Sequence, residues 1–292
     1  MKECKTISTS LCLYLLLSIV FSIPISLILM EIGIGAESDL GIQLLSILTT
    51  LCVVPILIRR YTRKLKISIP FDSHLNIPCS KILYYTVISI GISIIFGILT
   101  NLINLFLMQF GLQMTTPDFS VKNDVFYNMI LILSTCIIAP IFEELFFRGL
   151  ILQALKRYGN VFAILTTSIL FALLHGNLMQ AIPVFALSLV ISYAVLRSNN
   201  ILTGILIHFI NNSLSTFESF FSNNIAISSI FLLLYIYFII FTIYVITKKR
   251  EMILSYYHLH KGKKVTYFFK NWVSILFLVL TLLTIASSFI KI

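Results

Sequence analysis

The chain has 292 residues, of which 59% are hydrophobic and only 11% charged, with a formal net charge of +10 and a mean hydropathy of +1.02. At about 20 apolar residues per spanning helix, that inventory furnishes roughly eight transmembrane segments, whereas a soluble domain carries about a quarter charged residues. A water-soluble enzyme, a disordered chain and a disulfide-stapled secreted module are excluded, and the basic excess reads as loop charge that orients helices, with no nucleic-acid partner expected.

Apolar runs fall at about 9–30, 41–58, 82–109, 125–153, 160–175, 179–196, 200–216, 225–247 and 272–290. None alternates with a period of two over about ten residues, so the expected fold is all-α, a polytopic transmembrane helix bundle with eight to nine spans. Lys2 and Lys5 precede the first run in the manner of a signal peptide, but the run meets Glu31 without a small-residue cleavage site and reads as a retained first helix. Cys4, Cys12, Cys52, Cys79 and Cys136 are odd in number and show no C-x-x-C spacing, which argues against a disulfide framework or a thiolate metal site.

The charges between runs set an orientation. Arg59, Arg60, Arg63, Lys64 and Lys66 follow the second run, Lys156 and Arg157 the fourth, Arg197 the sixth, and Lys248, Lys249, Arg250, Lys261, Lys263 and Lys264 the eighth. The alternate loops carry Glu31, Glu37 and Asp39, then Asp118 and Asp124, then Glu218. By the positive-inside rule the basic side and the N-terminus are cytoplasmic, in a protein of the plasma membrane. Tyr256, Tyr257, Tyr267 and Trp272 suit the interface, and His74, His258 and His260 read as surface residues.

The fourth run contains Pro140, Glu143, Glu144 and Arg148, and each of these charges costs about 2.5–3.5 kcal/mol at a helix centre on insertion scales. Glu144 and Arg148 are spaced i,i+4 and can pair, which offsets the cost for those two. Glu143 points about 100° away from Glu144 and must be protonated or held by a histidine or water. Pro140 is expected to free the carbonyl of Cys136 and kink the helix just before the acidic pair. Cys136 itself reads as a small packing residue.

The fifth run ends on Phe171, His175 and Gly176, and the seventh holds His208 and Asn212 at i,i+4 on one face. Counted from the turn near Arg157–Gly159, Glu143 and His175 lie at matching depths, roughly 21 and 24 Å at about 1.5 Å per residue. From the turn near Asn199, His208 and Asn212 lie roughly 14–20 Å in on the same rise. One carboxylate, two imidazoles and an amide can therefore meet in one layer.

The ordered trio E-E-x-x-x-R-G (Glu143, Glu144, Arg148, Gly149), F-x-x-x-H (Phe171, His175) and H-x-x-x-N (His208, Asn212) resembles the CPBP family of intramembrane proteases, the CAAX protease/Abi and bacteriocin-processing group. The resemblance covers about residues 125–215, and it divides the chain into N-terminal transmembrane helices and loops (1–124), a catalytic helical core (125–216) and C-terminal transmembrane helices (217–292). It implies an endopeptidase acting on a membrane-associated peptide or protein within the lipid, in bacteriocin or signal-peptide processing or in self-immunity. In that reading Glu143 is the base, His175 helps hold and polarise water, His208 and Asn212 donate to the oxyanion, and Glu144 with Arg148 supports them.

A second version has His175, His208 and a glutamate bind Zn2+, a combination known at catalytic zinc sites. The metal-free version is preferred, because no further carboxylate is at hand to orient the histidines beyond the acidic pair itself. Two other functions stay open. One is a proton-coupled transporter with Glu143, His175 and His208 as a relay, against which the absence of repeated halves counts. The other is a catalytically silent immunity or binding protein.

Overall fold

The computed structural model describes residues 2–292 and is almost wholly helical. In chain order it comprises α1 (Lys2–Glu31), α2 (Asp39–Leu65), α3 (Cys79–Met108), the short strand β1 (Leu112–Met114), and a long composite helix α4 (Val125–Tyr158). Then follow α5 (Asn160–Leu173), α6 (Leu178–Ser198), α7 (Ile201–Phe220), α8 (Ile225–Lys248), α9 (Arg250–His260), a 3-10 segment (Val265–Lys270), α10 (Trp272–Ser287) and β2 (Phe289–Lys291).

Short polar side chains start most of these helices, because the first backbone N–H groups of a helix have no partner within it. Ser38 accepts from Gly41 N at 3.1 Å, Asp124 from Tyr127 N at 3.1 Å, Asn177 from Gln180 N at 2.9 Å and Asn200 from Leu202 N at 3.1 Å. Asn224 and Asn271 cap α8 and α10 in the same way. These caps cut the apolar sequence into antiparallel rods of definite length.

The rods pack as α1 along α2, α3 along α6 and α8, α5 along α6, and α10 against α1. One continuous apolar core runs from Cys4, Ile7 and Leu11 of α1 through Val53 and Leu57 of α2 and Phe146 and Leu150 of α4 to Phe171, Ile191, Ile207 and Phe277. Large apolar side chains that remain outside it, such as Ile19, Ile23 and Leu27 on α1 and Leu232, Leu233 and Ile240 on α8, form an exposed outer face suited to acyl chains. β1 and β2 pair antiparallel, tying the C-terminus to the end of α3.

Among the described residues six helices are long and apolar enough to cross a membrane, namely α1, α2, α3, α4, α6 and α8, and a seventh crossing results if Arg250–Lys270 and Trp272–Ser287, bent by 81°, count as one span. By length and composition these are six to seven spans, against eight to nine expected from the sequence. The sequence count treated 160–175 as a full run, yet α5 has 14 residues, roughly 21 Å at 1.5 Å per residue against a hydrocarbon core of about 30 Å. α7 has the length, with 20 residues, but His208, Asn211, Asn212, Ser213, Ser215 and Thr216 dilute its hydropathy. α10 stops at 16 residues.

The charges segregate to the two ends of the bundle. At one end Arg157 pairs with Glu3 at 3.0 Å, joining the close of α4 to the start of α1. At the other, Lys122 reaches Asp118 at 2.7 Å and Asp39 at 3.5 Å. The hydrogen bond from Lys122 holds the Asp118 carboxyl well below the usual carboxylate range. His74, His258 and His260 lie exposed, as expected.

Candidate active site

α4 carries the acidic pair on an interrupted helix. Leu133–Ile138 and Leu145–Ile151 are π-helical, while Ala139–Glu144 between them is α-helical. A π turn bonds i to i+5, widens the helix and leaves carbonyls free for other donors. The first such turn carries a bond from Ala139 N to Ser134 O. The next bond in that register would run from residue 140 to Thr135 O, and proline has no N–H to make it. The amide of Asn212 on α7 donates to Thr135 O instead, at 2.8 Å. In this local register of five the carbonyl that Pro140 leaves open is that of Thr135, whereas a uniform α-helix would leave that of Cys136. Below the acidic pair, Gln153 Nε2 likewise donates to the carbonyl of Arg148 at 3.1 Å.

Glu144 and Arg148 are both fully buried and pair through Nη1 and Oε1 at 2.7 Å, as their spacing predicts. Arg148 Nη2 donates to Ser188 Oγ of α6 at 2.8 Å, Ser188 donates to Ser168 Oγ of α5 at 2.9 Å, and the guanidinium sits 4.5 Å from the centre of the Phe171 ring. One ion pair thus ties α4 to α5 and α6. Gly204 of α7 makes the close approach possible, since a Cβ there would stand 2.8 Å from Glu144 Oε2.

His208 Nδ1 lies 3.0 Å from Glu144 Oε1, and because a carboxylate oxygen accepts, Nδ1 carries the proton. The opposite nitrogen, Nε2, then faces Glu143 Oε2 at 3.9 Å. His175 is fixed by the same logic. Its Nδ1 donates to the carbonyl of Phe171 at 3.0 Å, which leaves Nε2 as the free ring nitrogen. Gly176 follows with φ of +68°, the left-handed backbone that closes α5 just beyond the histidine. The Phe171 ring stands edge-on to both imidazoles, with centroids 5.0 Å from His175 and 6.0 Å from His208. Glu143 lies within electrostatic reach of His175. Its side chain is 34% exposed, whereas that of Glu144 is 0% exposed, so the two neighbouring carboxylates occupy opposite environments.

Five of the six residues singled out by the sequence therefore meet, Glu143, Glu144, Arg148, His175 and His208, though with partners that spacing alone does not specify, whereas the hydrogen bonds of Asn212 go elsewhere. His208 bridges the two glutamates, while Asn212 turns one amide proton to α4 and its carbonyl oxygen accepts from Asn211 at 3.0 Å. Cys136 is buried and its thiol contacts Thr216 Oγ1 at 3.5 Å, a packing position as read. Among the described residues no group of three His, Cys, Asp or Glu side chains is arranged to hold a metal ion, so the zinc set of His175, His208 and a glutamate does not fit this geometry.

Sequence reading missed Ser168, Ser188, Thr135, Gly204 and Tyr14. Ser168 and Ser188 look like ordinary small residues of apolar helices, and their one signal is that a buried cation needs more acceptors than one carboxylate supplies. Tyr14 of α1 stacks on Phe146 with centroids 5.8 Å apart and lies within electrostatic reach of Glu143. A tyrosine in a spanning run gives no such hint.

The family model described as Type II CAAX prenyl endopeptidase Rce1-like matches residues 125–214, under a third of the chain. That bears out the resemblance to the CAAX protease group read from the three motifs, over nearly the same residues, and marks the chain as similar to membrane-embedded proteases. No curated protein and no solved structure matches it.

Proposed function

We propose that this chain is an intramembrane endopeptidase in which Glu143 activates water for attack on a peptide bond of a membrane-associated peptide. The observation that carries this reading is the contrast between the two carboxylates: Glu144 is sealed against Arg148 and His208, while Glu143 stays part-open beside the free nitrogens of two histidines. A general base must be accessible to water and near the proton it takes, and only Glu143 of the pair meets both conditions.

Water held between Glu143 and His175 Nε2 loses a proton to Glu143 as its oxygen attacks the carbonyl carbon. His208 in its imidazolium form presents Nε2–H to the developing oxyanion, and Asn212 offers its second amide proton from the same face of α7. Glu143, now protonated, returns the proton to the departing amine. Glu144 and Arg148 are positioning residues that do not touch substrate: Arg148 fixes the Glu144 carboxylate, and that carboxylate holds the His208 ring and stabilises its positive charge. No step is assigned to a metal.

The finer parts of the reading follow from the same residues. Residues 125–216 form the catalytic core, flanked by the helices of 1–124 and 217–292. α5 enters the bilayer as an inner helix shielded by its neighbours, and α7 and α10 enter it with exposed apolar side chains such as Phe217 and Leu283, which gives eight to nine segments at membrane depth. The basic end, with Arg157 and the N-terminus, faces the cytoplasm across the plasma membrane. The substrate class is a bacteriocin or signalling-peptide precursor, or a toxic peptide to which the chain gives immunity.

The test is mass spectrometry of peptides released from membranes containing the wild type or Glu143→Gln. The expected result is a set of peptides present with the wild type and absent with the variant, which is equally well expressed. Identical peptide sets from both would overturn the reading.

A further inference from the structure

A second recess lies beside the acidic pair and is not used by the chemistry above. It is a cleft of about 370 Å³ between α1 and α2, lined by Tyr14, Ser18, Ser22, Ser46, Thr49 and Thr50 together with a few apolar side chains. That volume is within the range of about 300–1,000 Å³ typical of ligand sites. Six hydroxyl-bearing side chains line this seam beside Ile19, Ile42 and Leu45, whereas the outer surface of α1 shows Leu16, Val20, Ile23 and Leu27. Thr49 Oγ1 is buried in the wall with no hydrogen-bond partner.

The cleft has a direction. Its inner end is Tyr14, stacked on Phe146 one turn beyond Glu143. Its outer end is Ser22 and Ile42, next to the turn that carries Glu31, Glu37 and Asp39. Tyr14, Ser18 and Ser22 recur every fourth residue and so share one face of α1, spanning roughly 12 Å at 1.5 Å per residue. That accommodates three to four extended residues at about 3.3–3.6 Å each.

A peptide bond can be attacked only where the chain is unwound, and an unwound backbone in lipid leaves N–H and C=O groups without partners. Hydroxyls both donate and accept, so a row of them serves exactly that need, and an acyl chain can use none of them. We propose that the cleft between α1 and α2 is a substrate subsite, binding three to four extended residues of the peptide next to the bond presented to Glu143. The proposal rests on the protease reading for the identity of its occupant. It also gives the path a direction: substrate lies along the middle of α1, running from Tyr14 away from the Arg157–Glu3 pair.

The test uses the full-length Glu143→Gln protein in phosphatidylcholine vesicles, so that binding is read without cleavage. The probes are a 20-residue leucine/alanine peptide with a central Gly-Pro pair next to a benzophenone residue, its helical twin lacking Gly-Pro, and a benzophenone-labelled phosphatidylcholine. The expected result is crosslinking of the Gly-Pro peptide to residues 14–22 and 42–50, at least fivefold over the helical twin. Thr49→Val and Ser18→Ala should each lower it three- to tenfold, with Leu48→Ala, on the lipid-facing side of α2, unchanged. Labelling of those residues by the phosphatidylcholine in preference to the peptide, or equal labelling by the two peptides, overturns the proposal. Labelling as expected in a protein whose wild type releases no peptides supports the subsite and refutes only the protease reading.

Discussion

The side-chain amide of Asn212 donates to the backbone carbonyl of Thr135, 2.8 Å away on another helix, where Pro140 leaves the π-helical register without a donor. The proline and the asparagine are thus two halves of one arrangement: one opens α4 above the acidic pair, and the other closes the open bond from α7.

Removing Asn212 should leave the part-buried Thr135 O without its side-chain partner, at a cost of about 0.5–1.5 kcal/mol. Asn212→Ala is expected to lower the thermal midpoint in detergent and to abolish peptide release. In the double variant with Pro140→Ala, the restored N–H can reach Thr135 O and recover stability but not release. A double-mutant cycle on thermal unfolding reads the coupling, and additive effects would rule it out.

Breaking the sealed ion pair should be far more damaging than altering the open carboxylate. Arg148→Met strips Glu144 of its cation and Ser188 of its donor, and an uncompensated buried charge costs about 3–5 kcal/mol. Arg148→Lys is not a rescue, because an ammonium cannot reach both Glu144 and Ser188 with a planar fork. Glu143→Gln, by contrast, should unfold at the wild-type temperature. Circular dichroism melts in one detergent compare the three.

Gly204→Ala tests the contact between α7 and the acidic pair. The new methyl would stand 2.8 Å from Glu144 Oε2 and 2.7 Å from Val195 Cγ2, so either helix α7 or the carboxylate must move. Overpacking of this kind costs about 1–3 kcal/mol. Peptide release should fall with stability, and Gly149, on the other side of Arg148, provides a comparison against apolar neighbours.

Chelators bear on the chemistry directly. Because no group of three His, Cys, Asp or Glu side chains among the described residues is placed to hold a metal ion, peptide release should be unchanged by prolonged chelation. Stoichiometric zinc in the purified protein, lost in His175→Ala, would reverse that expectation.

Much of the site was legible because the membrane makes polar residues conspicuous. Glu143, Glu144, Arg148, His175, His208 and Asn212 stand out from apolar runs, and the i,i+4 spacing of Glu144 and Arg148 names its own partner. What the spacing could not give is register. A uniform helix of 3.6 residues per turn assigns the freed carbonyl to Cys136, and two π segments move it to Thr135. The pairing of His208 with Glu144 depends on the tertiary approach that Gly204 allows, and the serines behind Arg148 carry no pattern at all. The span count differs for a related reason: hydropathy marks α5 as apolar but does not show that Gly159 and the turn at Gly176 confine it to 14 residues.

That short helix has a consequence for the supply of water. A rod of roughly 21 Å stops well short of a hydrocarbon layer of about 30 Å, and because α5 is almost wholly buried among its neighbours the space beyond its end lies inside the protein and not against acyl chains. His175 and Gly176 sit at that truncated end. The reagent for hydrolysis therefore has a shorter distance to travel than a full-length rod would impose.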